Sequence, residues 1–107
     1  MRGGHGLLNL NRYEEARSLL RELRPVAQRV LGESNETTVK MRMIYVRALY
    51  RDPVATLDDL REAVATLEDL APTARRVLGG AHPLTGRMEI RLREARAALA
   101  ARETPRA

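Results

Sequence analysis

The feature that most constrains the fold of this chain is an internal repeat. Val30-Leu31-Gly32 recurs as Val77-Leu78-Gly79, a displacement of 47 residues that holds without a gap over most of the sequence. It lays Leu10 on Leu57, Glu15-Ala16 on Glu62-Ala63, Leu20 on Leu67, Leu23 on Leu70, Pro25 on Pro72 and Ala27 on Ala74. Further along, Arg29 falls on Arg76, Thr38 on Thr85, Met41 on Met88 and Ala48 on Ala95, while Tyr13/Leu60, Met43/Ile90 and Tyr45/Leu92 keep apolar character. So many matches in one register mark a duplicated unit. A period of this length belongs to arrays of helical units that bury their apolar faces against one another.

The units read as helices. Tyr13, Ala16, Leu20, Leu23, Ala27 and Val30 are spaced by threes and fours, as are Leu57, Leu60, Val64, Leu67, Ala71, Ala74 and Leu78, which gives each stretch one apolar stripe. Thr56 with Asp59 has the capping-box arrangement, and Asn11 with Glu14 resembles it. Acids Asp58, Asp59 and Glu62 near the start and Arg75 and Arg76 near the end complement the helix dipole. Gly32 and Gly79 are placed to stop these helices. The segment from Thr37 to Arg51 spreads Val39, Met41, Met43, Ile44, Tyr45, Val46, Ala48, Leu49 and Tyr50 round most of its circumference, as a helix sandwiched between neighbours does. Asp52-Pro53 ends it. Its copy starts at His82-Pro83, with His82 as cap and Pro83 in the first turn. The expected layout is four helices over 11–31, 36–51, 56–78 and 83–102. Residues 1–6 are expected to form a flexible glycine-rich start, 7–102 the repeat domain, and 103–107 a frayed tail. Pro25 and Pro72 fall inside helices, where each removes a hydrogen bond; they predict either a kink at equivalent points or a break into shorter helices.

Composition excludes much chemistry. There is no cysteine, so disulfides, thiolate catalysis and cysteine-ligated zinc are ruled out. His5 and His82 are the only histidines, which argues against a histidine metal site. No segment has the ~18–20 apolar residues of a membrane span and the first residues hold no apolar stretch long enough for a secretory signal, so a cytoplasmic protein without membrane contact is expected. The formal charge is +5, and Lys40 is the only lysine among 19 basic residues. That balance supports two readings, a basic helical nucleic-acid binder or an arginine-biased helical surface. Fourteen acids are interspersed, and the longest basic run is the pair Arg75–Arg76.

Arg12-Tyr13-Glu14-Glu15-Ala16, Leu19-Leu20 and Val30-Leu31-Gly32 together resemble the long second helix of a kinesin-light-chain-type tetratricopeptide repeat. Leu78-Gly79-Gly80-Ala81-His82-Pro83-Leu84-Thr85 is similar to the Leu-Gly-x-x-His-Pro-x-Thr turn that joins such repeats, and Leu49-Tyr50-Arg51 to the end of the family's first helix. The likeness covers about residues 7 to 102. It implies an all-α, right-handed superhelical stack of antiparallel helix pairs and a non-catalytic protein-interaction module. The chain departs from the family at Asp52-Pro53-Val54-Ala55, which lengthens the period. Where the family's first helix carries paired asparagines that grip a peptide backbone, this chain has Met43-Ile44 and Ile90-Arg91, which lack that chemistry.

No catalytic constellation emerges. Gly79-Gly80 and Gly3-Gly4 lack the flanking residues of a phosphate loop, and Ser18 and Ser34 have no nucleophile-elbow spacing. Neighbours in Asp58-Asp59 and Glu68-Asp69 point about 100° apart on a helix, so neither pair converges. An enzyme, a metal and a cofactor are not expected.

One face carries recognition chemistry. Lys40, Ile44, Arg47 and Arg51 share a stripe of the 36–51 helix, and the repeat carries it to Arg87, Arg91, Glu94 and Ala98. In the resembled family, first helices line the concave surface. Lys40, Ile44, Arg47, Arg51, Arg87, Arg91 and Glu94 are therefore the candidate groove residues, for an acidic or extended peptide partner. Repeat arrays need neighbours at both ends. The chain is accordingly expected to belong to a longer array, or to self-associate through uncovered residues Tyr13, Leu19 and Leu20 at one end and Met88, Ile90, Leu92 and Leu99 at the other.

Overall fold

A computed structural model describes the backbone of residues 2–104 and the side chains of residues 12–104. Over these residues the chain is all-α: α1 (Arg2–Val30), α2 (Glu36–Tyr50), α3 (Leu57–Leu78) and α4 (Pro83–Glu103), with no strand. The helices match the sequence expectation except at the start. α1 begins at Arg2 rather than near residue 11. Position 11 therefore lies inside α1 rather than at its start. Met1 and residues 105–107 of the expected flexible ends lie outside the described residues. Both α1 and α3 run unbroken through their prolines, so neither divides into shorter helices.

The repeat is visible in the turns. Gly32 and Gly79 have φ of +88° and +94°, a region that side-chain-bearing residues avoid, and each ends its helix there. Three residues on, Asn35 and His82 donate their N–H to the Gly32 and Gly79 carbonyls at 3.4 and 3.2 Å. Asn35 Oδ1 then accepts from the Thr37 N–H at 2.8 Å and His82 Nδ1 from the Leu84 N–H at 3.0 Å, each cap filling an orphan donor of the following helix. Thr56 and Asp59 complete the reciprocal box that begins α3.

Adjacent helices run antiparallel. Arg17 reaches Asp52 while Arg21 reaches Tyr45. Tyr45 meets Glu62 and Arg42 meets Asp69; Arg75 meets Glu89 and Arg61 meets Glu103. The core lies between α2, α3 and α4, built from Val39, Val46, Leu49, Leu67, Leu70 and Met88, all fully buried. Fully burying such a side chain contributes about 1.5–3 kcal/mol. Ala27 and Ala74, Thr38 and Thr85, and Ala48 and Ala95 are buried pairwise at the repeat spacing.

α1 packs its backbone only on α2. Leu19, Leu23, Val26 and Val30 form an exposed stripe along it, with Leu19 at 55% and Val30 at 70% exposure. Tyr13 and Leu20 are partly covered. At the other end the expectation needs correction. Met88 is buried, Leu92 and Leu99 pack against the core, and Ile90 alone of the four is exposed. Helical periodicity turns the first three toward α3 and Ile90 the opposite way.

Candidate functional site

α2 and α4 flank a cleft that contains most of the sequence candidates. It holds about 210 Å³ and is lined by Lys40, Met43, Ile44, Arg47, Leu84, Arg87 and Arg91. The apolar part comes from Met43, Ile44 and Leu84, and the charge from four cations. Ile44 is half exposed, which leaves a large aliphatic surface for a partner to cover. Lys40 is held by Glu36 one turn earlier at 2.9 Å, and this ammonium lowers the Glu36 carboxyl below its ordinary value. Arg91 donates to the Tyr50 hydroxyl at 3.2 Å. Among the described residues, Arg47 and Arg87 make no ion pair.

Arg51 and Glu94 stand outside this lining. Arg51 is the C-cap of α2, its guanidinium 5.9 Å from the Tyr50 ring centre. Tyr50 donates its hydroxyl to Glu94 at 3.1 Å, so Glu94 helps to place the phenol that receives Arg91. On the far side of Ile44 and Arg47 a second depression of about 470 Å³ continues onto α1, past Arg12, Tyr13 and Ala16. Ile44 and Arg47 therefore stand between two depressions on a surface running from α4 to α1.

The opposite side of α2 holds a third cleft, one that the sequence reading missed. About 460 Å³ in volume, it lies between α1, α2 and α3, with Arg21, Arg24, Thr38, Arg42, Tyr45 and Glu62 among its lining. Tyr45 donates a short hydrogen bond to Glu62 and accepts one from Arg21 Nε at 2.9 Å. Burial, reinforced by the Glu62 carboxylate, pushes the Tyr45 phenol above its ordinary value. The Tyr45 oxygen, first by hydrogen bonding and then by its charge when ionised, raises Arg21. Arg42 is 7% exposed and donates to Asp69 at 3.2 Å. The Arg42 Nε and the Thr38 hydroxyl are buried without a hydrogen-bond partner among the described residues. The signal available beforehand was polar: Thr38 and Arg42 are one turn apart on one face of an otherwise apolar helix.

Among the described residues no three acids or histidines are gathered where they could hold a metal ion, and no helix is long and apolar enough to cross a membrane. His82 serves as the α4 cap. Comparison with family models, curated proteins and solved structures finds no match to this chain.

Proposed function

We propose that this chain is a non-catalytic protein-interaction module that takes an acidic, extended peptide along the surface formed by α4, α2 and α1. The observation that carries the reading is the α2–α4 cleft, where Lys40, Arg47, Arg87 and Arg91 surround Met43, Ile44 and Leu84. Cations around an apolar strip suit a segment in which acidic and aliphatic side chains alternate. The helix pairs, read with the kinesin-light-chain-like residues of the turns, support a right-handed tetratricopeptide-type stack, and a cysteine-free adaptor of this kind belongs in the cytoplasm.

The test replaces Lys40 and Arg47 by glutamate and measures binding of a labelled peptide of alternating glutamate and leucine by fluorescence anisotropy. Both side chains are exposed, so helicity by circular dichroism stays the same. Affinity falls at least about tenfold, since reversing two charges removes attraction and adds repulsion worth more than about 1.4 kcal/mol. Unchanged affinity rejects the groove. The +5 charge favours one other reading, a nucleic-acid binder. Binding to DNA or RNA that survives heparin, and weakens steeply with salt, would select it.

A further inference from the structure

The cleft between α1, α2 and α3 has features that peptide recognition on the other face of α2 leaves unused. Thr38 and Arg42 line it, 1% and 7% exposed respectively. The Thr38 hydroxyl and the Arg42 Nε are both able to donate a hydrogen bond, and neither has an acceptor among the described residues. An unmet buried donor is costly, more so when it belongs to a charged group. Asp69 takes only another edge of the guanidinium, and its side chain is 70% exposed, so solvent screens that pairing. Arg24 makes no ion pair among the described residues, and Glu62, the one acid of the lining, is already engaged by Tyr45.

The duplicated unit supplies an internal comparison. At the equivalent positions Arg21, Arg24 and Arg42 are replaced by Glu68, Ala71 and Glu89, and both glutamates are paired, with Arg96 and Arg75. Thr85, the counterpart of Thr38, donates to the Ala74 carbonyl at 3.5 Å. The same helical frame is thus built without the three arginines and with its buried threonine satisfied. The cationic cleft is particular to the first unit and is not demanded by the fold.

We infer that this cleft binds a small molecule with one carboxylate on an apolar body, the carboxylate received by the Arg42 and Arg24 guanidinium groups and the body lying against Leu20, Pro25 and Met41. Donors without acceptors call for an oxygen-rich acceptor, and guanidinium groups match a carboxylate with two parallel hydrogen bonds. The apolar wall and Glu62 oppose a free dianion such as phosphate. A volume of about 460 Å³ falls within the range of about 300–1,000 Å³ usual for small-molecule sites.

The test is a nuclear-magnetic-resonance titration of the whole chain with 4-phenylbutyrate, with its neutral amide, and with inorganic phosphate. Saturable shifts of the Thr38, Arg42 and Tyr45 amides are expected with the carboxylate. The amide should bind at least about tenfold more weakly, the factor that about 1.4 kcal/mol produces, and phosphate should not saturate. Arg42→Met should abolish the shifts. If that variant does not fold, Arg24→Gln on the exposed rim decides, with an affinity loss of about tenfold expected. Equal binding of acid and amide, saturation by phosphate alone, full affinity in either folded variant, or no saturable shift overturns the assignment.

Discussion

Replacing Asp52 by alanine tests how α1 is held to the rest of the molecule. Asp52 follows α2, and its side chain is 3% exposed; it receives Arg17 of α1 at 2.8 Å, an arginine itself only 15% exposed. Its other oxygen accepts the Val54 N–H at 3.0 Å and shapes the connection to α3. Removing one partner of a buried pair costs about 3–5 kcal/mol. Arg17 keeps its bond to the Ala48 carbonyl, which places the pair at the lower end, and the lost turn bond adds about 1 kcal/mol. The expected loss is about 3–4 kcal/mol, a large share of the about 5–15 kcal/mol typical of a domain. Urea unfolding followed by circular dichroism measures it, and hydrogen exchange should show α1 opening before α2 and α3. In a double-mutant cycle with Arg17→Met, the combined variant should recover about 1 kcal/mol or more over the sum of the single losses. A loss under about 1 kcal/mol, or strict additivity, would show that the pair behaves as a solvent-screened surface contact and refute the reasoning.

Four further outcomes are expected. Gly32→Ala and Gly79→Ala should each cost about 1–2 kcal/mol in thermal unfolding, and by similar amounts, because both sit at positive φ with open space where a Cβ would stand; a cost at one alone would separate the two turns. Leu67→Ala, at a fully buried position, should lose about 2–5 kcal/mol, measured by the same unfolding. Because the Tyr45 phenol is raised above its ordinary value of 10.0, the stability it contributes is complete below that pH and is lost as pH rises through the folded-state value; ultraviolet titration of the phenolate should show a late component that Tyr45→Phe removes. The exposed Leu19, Leu23, Val26 and Val30 stripe should produce concentration-dependent association in sedimentation that Leu23→Glu abolishes, and a strict monomer at all concentrations would remove that role.

Helices, stops and caps were legible because each rests on neighbouring residues. Gly32, Gly79, Thr56, Asp59 and His82 act through backbone groups within a few positions of themselves. Lys40 and Ile44 line one cleft with Arg87 and Arg91, the positions to which the 47-residue repeat carries them. Arg51 and Glu94 share the helical stripe but meet Tyr50, a contact that helical angle alone does not reveal. The arginine cleft was missed because its members come from three helices, and the pairing that occupies some of them, Tyr45 with Glu62 and Arg42 with Asp69, spans 17 and 27 residues. Asp52 was read as part of a connection; only tertiary packing makes it the partner of Arg17. The early start of α1 had no local marker, since its first turn carries no acid.

Lys40 gives the groove an experimental property that its arginines do not share. It is the only lysine side chain in the sequence, and it stands half exposed at the cleft beside Ile44 and Arg87. An amine-directed fluorophore has Lys40 as its one side-chain target, with the α-amino group as competitor, so a label resolved to Lys40 reports from a defined point of this surface without an engineered cysteine. Acylation also erases one positive charge of the cleft while the guanidinium groups, ionised throughout the working pH range, keep theirs. A single chemical step thus converts a four-cation surface into a three-cation one and releases Glu36 from its ammonium partner.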